Sequence, residues 1–382
     1  MNAAANMVQN PMNSGVNVPE RHVIIMGIRG VPAAHGGFET FAEHLALYLV
    51  EQGWKVTVYC QGSPDGRRST DVWKGVSRIH IPVSLDGAPG TIEFDAKATL
   101  DVLSLPGTIL TLGYNTGFLC TLLAAKRRTN IINMDGLEWK RAKYGTLAKI
   151  YLWLNERLAI WFGTHLIADH PVIADHLASR TARSKITTIP YGAPEVRESE
   201  VELLSAFNVT PYKYMTVIAR IEPENSILEI VRSFSAKKRG VNLLVLGKFD
   251  PDHAYQKTIM DEASDEVIFP GPVYEKSKVQ ALRFYSLAYV HGHQVGGTNQ
   301  SLVEALGAGN AIIAHDNPFN RWVAGEAGLY FGTEEGLNVC MDQLLSDPAL
   351  QETKRMAARR RWQDQFTWQS VLDQYRTALE AF

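Results

Sequence analysis

Cysteine is scarce in this chain. There are three in 382 residues, Cys60, Cys120 and Cys340, set far apart. They form neither a disulfide framework nor a metal-ligand spacing, which suits a reducing cytoplasm. An excess of one charge is also missing. A formal net charge of −2 excludes a nucleic-acid binder that works by bulk positive charge. No stretch reaches the roughly 18 apolar residues of a membrane span, so any membrane association is expected to be peripheral. The opening MNAAANMVQNPMNSGVNVPE lacks a basic segment followed by an apolar core, so it does not read as a signal peptide. Residues 1–20 are expected to form a disordered leader.

What is present is the composition of a folded globular protein, 46% hydrophobic and 20% charged. The length allows two or three domains, each burying its own core. In the first half, short apolar runs alternate with helical patterns. Residues 22–28, 55–60, 77–83, 108–113, 130–135 and 165–170 read as strands, with helices at 38–52 and 144–162 between them. Their near-continuous apolar character suits a parallel sheet covered on both faces. The pattern restarts after residue 192, with strands at 214–220, 241–248, 267–271, 287–292 and 311–316. Helices near 224–237, 275–285 and 300–308 separate these strands, and YGAPEVRES (191–199) reads as the linker. The fold class is therefore α/β, with two Rossmann-like domains facing a cleft. The expected division is a leader 1–20, a first domain 21–192, a second domain 193–365 and a C-terminal helical segment 366–382.

Two glycine-rich segments carry the chemistry. In MGIRGVPAAHGGFETFAEHL (26–45), Gly36 and Gly37 open an amphipathic helix directly after the first strand and its loop. In GGTNQSLVEALGAGNAIIAHD (296–316), Gly296 and Gly297 lead through Thr298 and Asn299 into a second helix, which carries Glu304. Glycines at a helix N-terminus let a ligand approach unpaired backbone N–H groups and the positive end of the helix dipole, a site for a diphosphate. The spacing is not the dinucleotide G-x-G-x-x-G. Ser301-Leu-Val-Glu304 also fits a capping box, in which Glu304 bonds back to the helix start.

The order of the 296–316 segment and the run RGVPAAHGGFETFAEHLA resemble family 4 glycosyltransferases, and in particular a rhamnosyltransferase-like branch. The resemblance runs from about residue 22 to the end of the chain. It implies the GT-B arrangement, with the nucleotide-sugar on the second domain, the acceptor on the first, and the C-terminal helix crossing back to the first domain. It implies that Arg220, at the end of the strand in VIARIEPENSILEIVRSF (217–234), grips the donor diphosphate. The family's Lys five residues on is Asn225 here, and Lys248 is the candidate replacement. Glu304 matches the family acid that bonds the donor ribose, while the acid eight positions earlier is replaced by Gly296. Backbone N–H groups of Gly297, Thr298 and Asn299 are then expected to contact sugar or phosphate.

Asp135 in NMDGLEWKRAKYG (133–145) stands near the place of a family His beside the reacting sugar, and also fits a structural N-cap. His293 is a candidate sugar or acceptor contact. The catalytic candidates are thus Asp135, Arg220 and Glu304. The donor-binding candidates are Gly36, Gly37, Arg220, Lys248, Gly296, Gly297, Thr298, Asn299 and Glu304. No metal or other cofactor is expected. Asp250-Pro-Asp252 lies in a loop of the second domain, and His291 with His293 lacks a third zinc ligand.

The implied reaction moves a sugar, with dTDP-rhamnose the leading donor, to a glycan or lipid-linked acceptor in surface polysaccharide synthesis, with retention of configuration. A nucleotide-sugar 2-epimerase and a non-catalytic nucleotide-sugar binding protein fit the same architecture. Residues 139–163, basic at the start and aromatic after, read either as a peripheral membrane contact or as a core-facing helix with a solvated rim. The expected location is cytoplasmic.

Overall fold

The computed structural model describes residues 21–34, 36–141 and 143–382, and the expected leader lies outside them. β1 (His22–Met26), β2 (Lys55–Gly62), β3 (Ser69–Trp73), β4 (Val76–Pro82), β5 (Thr108–Leu112), β6 (Asn130–Asn133), β7 (His165–Ala168) and β8 (Ile186–Thr188) form an eight-stranded sheet. Its order is β3-β4-β2-β1-β5-β6-β7-β8. Every pair is parallel except β3–β4.

β9 (Tyr214–Ile218), β10 (Asn242–Leu246), β11 (Val267–Gly271), β12 (Ala288–His291), β13 (Ala311–His315) and β14 (Gly328–Phe331) form a second sheet, parallel throughout. Its order is β11-β10-β9-β12-β13-β14. Two parallel α/β sheets are what the alternating pattern predicts. In each, the strand order reverses beside the first strand, between β1 and β5 and between β9 and β12. Open α/β sheets bind ligands in the crevice beyond the carboxyl ends of their strands at such a switch point.

The central strands are buried along nearly their whole length, which is why they read as continuous apolar runs. Three strands escape the sequence pattern. β3 is exposed at four of its five residues and pairs at the sheet edge, so it carries no apolar run. β8 is three residues long and β14 is half-buried. Several expected strands also end early. Gly27, Met134, Asp135, Asp169 and His170 leave their ladders after the last paired residue and turn over the carboxyl edge.

The chain crosses between the domains twice, and the crossings touch. Ala193 bridges Thr367, and Trp362 Nε1 donates to the Ala193 carbonyl at 2.9 Å. The last helix, Trp368–Glu380, then packs in the core of the first domain. Val371, Leu372, Tyr375 and Leu379 join Phe41, Leu45 and Leu49 of the helix Gly37–Glu51 in one buried cluster. Tyr375 OH accepts Asn133 Nδ2 at 2.7 Å inside that core, and Arg21 pairs with Glu380 at 2.6 Å. The return of the C-terminal helix, expected from the resemblance, is present.

Candidate functional site: a cleft between the two sheets

A cleft of about 470 Å³ opens where the carboxyl edges of the two sheets face each other. Gly37 and Asp135 line it from the first domain, and Arg220, His293, Gly296, Gly297, Thr298 and Asn299 from the second. Each follows the end of a central strand, β1, β6, β9 or β12. A larger groove of about 660 Å³ lies between Thr187 and the C-terminal helix, but Asp373 is the one charged group among the described residues that line it.

The first domain contributes a helix end and an acid. Gly36 stands just before the helix Gly37–Glu51 and makes no side-chain cap, so the first amides of that helix have no side-chain partner there. Asp135 has φ +51°, in the left-handed region that Asp tolerates better than most side chains, and its N–H is held by Asn133 Oδ1 at 2.9 Å. It caps no helix, since the next helical turn starts from Leu137. Burial, and then the charge of Glu138, raise its pKa to about 6.

The second domain contributes a cation and the glycine loop. Arg220 is exposed in the cleft and has no carboxylate partner among the described residues. Asn225 is buried and donates its Nδ2 to the Arg220 carbonyl at 2.8 Å, so it braces the loop rather than adding charge. His293 stacks on His291 with ring centroids 4.3 Å apart, and its carbonyl accepts Asn317 and Asn320. Burial first, and then the charge of Arg220, lower its pKa to about 4, so the ring is neutral at pH 7. Gly296 has φ +150°, a conformation that side chains rarely adopt. An acid at that position would be strained, which gives a backbone reason for the glycine there.

Three of the expected groups have other neighbours than the resemblance implies. Lys248 lies beyond the end of β10, after Gly247 packs against Ala219 and Ile221; it is exposed and does not line the cleft. Glu304 also stays out of the main cleft. It pairs with Arg283 at 2.6 Å and lines an adjoining cavity of about 220 Å³, joined to the cleft through Gln300, which lines both. Nor does Glu304 form a capping box. The cap of its helix is Asn299, whose side chain accepts the N–H of Ser301 at 3.0 Å. Finally, the Thr298 N–H is already taken within the protein. It donates to Asp169 of the first domain at 2.7 Å.

Asp169 and Arg141 also line the cleft, and the sequence pattern assigns neither a role. Asp169 follows β7 and is 1% exposed. Arg141 reaches across the domains to Glu224 at 2.7 Å and also holds Glu138 at 3.2 Å. For Asp169 a signal existed, because in HLIADH an acid directly follows the apolar strand, and NMD ends in one at Asp135. No local pattern marks Arg141, whose partner is 83 residues away.

The comparisons with known proteins agree with this arrangement. Residues 36–192 match the glycosyl transferase 4-like domain. No curated protein matches the chain. Among solved structures, the sucrose-phosphate synthase of Thermosynechococcus elongatus superposes with a TM-score of 0.78 at 17% identity, covering 95% of this chain and 100% of that one. HepE of Anabaena, solved with UDP and glucose, gives 0.73 at 13% identity, with 95% and 100% covered. The α,α-trehalose 6-phosphate synthase of Burkholderia multivorans gives 0.72 at 11%, with 95% and 98% covered. At these identities the likeness is one of fold. The chain is a two-domain protein with the GT-B fold, and residues 36–192 within it are similar to the glycosyl transferase 4-like domain.

Proposed function

We propose that the protein is a glycosyltransferase that moves a sugar from a nucleoside diphosphate sugar to a hydroxyl of a glycan acceptor. The observation that carries this reading is the meeting of Gly37, Arg220 and the 296–299 loop in one cleft at the switch points of both sheets. Arg220 and the amides at the start of the helix Gly37–Glu51 take the diphosphate, whose negative charge grows as the bond to the sugar breaks. Glu304 and Arg283 line the adjoining cavity at the nucleoside end, where Glu304 accepts a ribose hydroxyl. Asp135 and the neutral His293 face the sugar and the attacking acceptor. One structural relative, HepE, is solved with UDP and glucose, which supports a nucleotide and a sugar as ligands of this fold.

The finer reading is transfer of L-rhamnose from dTDP-rhamnose, with retention, to a lipid-linked or soluble glycan in surface polysaccharide synthesis at the cytoplasmic face of the membrane. Its support is the resemblance of the two glycine segments, together with the outer face of the helix Thr146–Phe162. Leu147, Ile150, Trp153, Leu154 and Trp161 are exposed there, beside Lys140 and Lys143. Among the described residues no helix is long and apolar enough to cross a membrane.

Incubation with dTDP-rhamnose, UDP-glucose and GDP-mannose, with and without acceptor glycans, tests the reading. Acceptor-dependent release of nucleoside diphosphate supports transfer. Isomerised sugar without acceptor supports a 2-epimerase, and binding without turnover supports a binding protein.

A further inference from the structure

Asp169 is a buried carboxylate whose two oxygens have different fates. Oδ2 accepts the Thr298 N–H at 2.7 Å, and the Thr298 hydroxyl donates to the Asp169 carbonyl, so the residue ties β7 of the first domain to the glycine loop of the second. Oδ1 has no hydrogen-bond partner among the described residues. A buried carboxylate oxygen without a donor is costly and calls for an explanation. The loop is shaped around this carboxylate. A Cβ on Gly297 would lie 2.2 Å from Oδ2 and 2.4 Å from Oδ1, so Gly297 is the residue that lets Asp169 enter.

The surroundings define what the free oxygen takes. Asp169 lines the cleft beside Asp135. Burial first, and then the charge of Asp135, raise the Asp169 pKa to about 7. An anion is repelled by this pair. No group of three His, Cys, Asp or Glu among the described residues is placed to hold a metal ion there. A neutral group that donates an O–H satisfies the oxygen without adding charge. The cleft is therefore polarised, with Arg220 on one side and two acids on the other.

We propose that Asp169 is a sugar-binding residue, its Oδ1 accepting a hydroxyl of the transferred sugar while its Oδ2 holds Thr298. The sugar is thus read by both domains at once, and its occupancy completes the contact between them. This inference rests on the glycosyl-transfer reading and names which end of the cleft takes the sugar.

Isothermal titration of the full chain with dTDP, UDP and GDP and with dTDP-rhamnose, UDP-glucose and GDP-mannose tests it. The quantity read is the affinity for the nucleotide-sugar divided by the affinity for its own nucleoside diphosphate. Asp169→Asn keeps an oxygen for Thr298 but turns a donor toward the cleft. Gly297→Ala leaves the charge intact and displaces the carboxylate. Both are expected to lower the ratio by about tenfold to a hundredfold, the loss of one hydrogen bond to a charged acceptor. Melting curves check that each variant folds, and Gly297→Ala decides alone if Asp169→Asn does not. An unchanged ratio, or equal losses for nucleotide and nucleotide-sugar, overturns the sugar role and leaves glycosyl transfer standing. If the native chain binds no nucleotide or nucleotide-sugar of the panel, both readings fall.

Discussion

Arg141 of the first domain and Glu224 of the second form an ion pair across the cleft, with Nη2 2.7 Å and Nε 3.0 Å from the same carboxylate oxygen. Both side chains are largely withdrawn from solvent, so the pair is screened less than a surface bridge. Arg141→Ala and Glu224→Gln are each expected to weaken donor binding by roughly 1.5–3 kcal/mol, the range for a hydrogen bond to a charged group. The double variant is expected to lose less than the sum, because the two residues share one interaction. A double-mutant cycle on the donor Kd checks this, and strict additivity contradicts it.

Arg220 has no carboxylate partner among the described residues and lines the cleft, so in the proposed reaction it is the cation for the leaving diphosphate. Arg220→Ala is expected to lower kcat by about 10²–10³, the range for losing one preorganised donor to a developing anion. Arg220→Lys is expected to recover part of that loss, since charge returns without the two-pronged geometry. Single-turnover rates measure it; a rise in KM with kcat unchanged would assign Arg220 to ground-state binding instead.

Glu304 turns toward Arg283 in the adjoining cavity, so its effect should follow the nucleoside and not the phosphates. Glu304→Gln is expected to weaken nucleoside diphosphate binding about tenfold or more. Binding of inorganic diphosphate to the same variant should stay within about twofold of the native value. Competition titrations of the two ligands compare them, and parallel losses would place Glu304 among supports of the whole cleft.

Acidity gives a separate handle on Asp169. Its pKa in the folded protein is about 7, against roughly 3.9 for an unfolded Asp. Between those values the folded chain holds a proton that the unfolded chain has lost, so raising the pH removes stability. The slope reaches on the order of 1.4 kcal/mol per pH unit within the window and vanishes above it. His170 and His293, both lowered to about 4 chiefly by burial, act in the opposite sense between roughly pH 4 and 6.5. The difference in melting temperature between the native chain and Asp169→Asn isolates the Asp. Native stability is expected to fall relative to the variant from pH 5 to pH 7.5 and to run parallel above that.

The central strands were legible because burial on both faces writes an unbroken apolar run, as in VNLLVLGK. β3 was not, since an edge strand exposed to water needs no such run. The glycine segments announced the cleft because a close backbone approach demands a residue without a side chain, and Gly297 shows that demand met. Directions were harder. A motif spacing places Glu304 on its helix, but the partner that turns it aside is Arg283, on another helix. The Asp169–Thr298 contact spans 129 residues and belongs to the docking of two domains, which no local pattern encodes.

Ala193 and Thr367, where the two interdomain passes of the chain lie side by side, fix how the molecule can flex. A swing of one domain against the other about a line through that pairing leaves the pairing intact, as a book turns on its spine. Glycine or proline placed at 193 or 367 would alter the rate of opening without touching a ligand. Turnover and substrate capture would then change in a variant whose cleft lining is chemically intact.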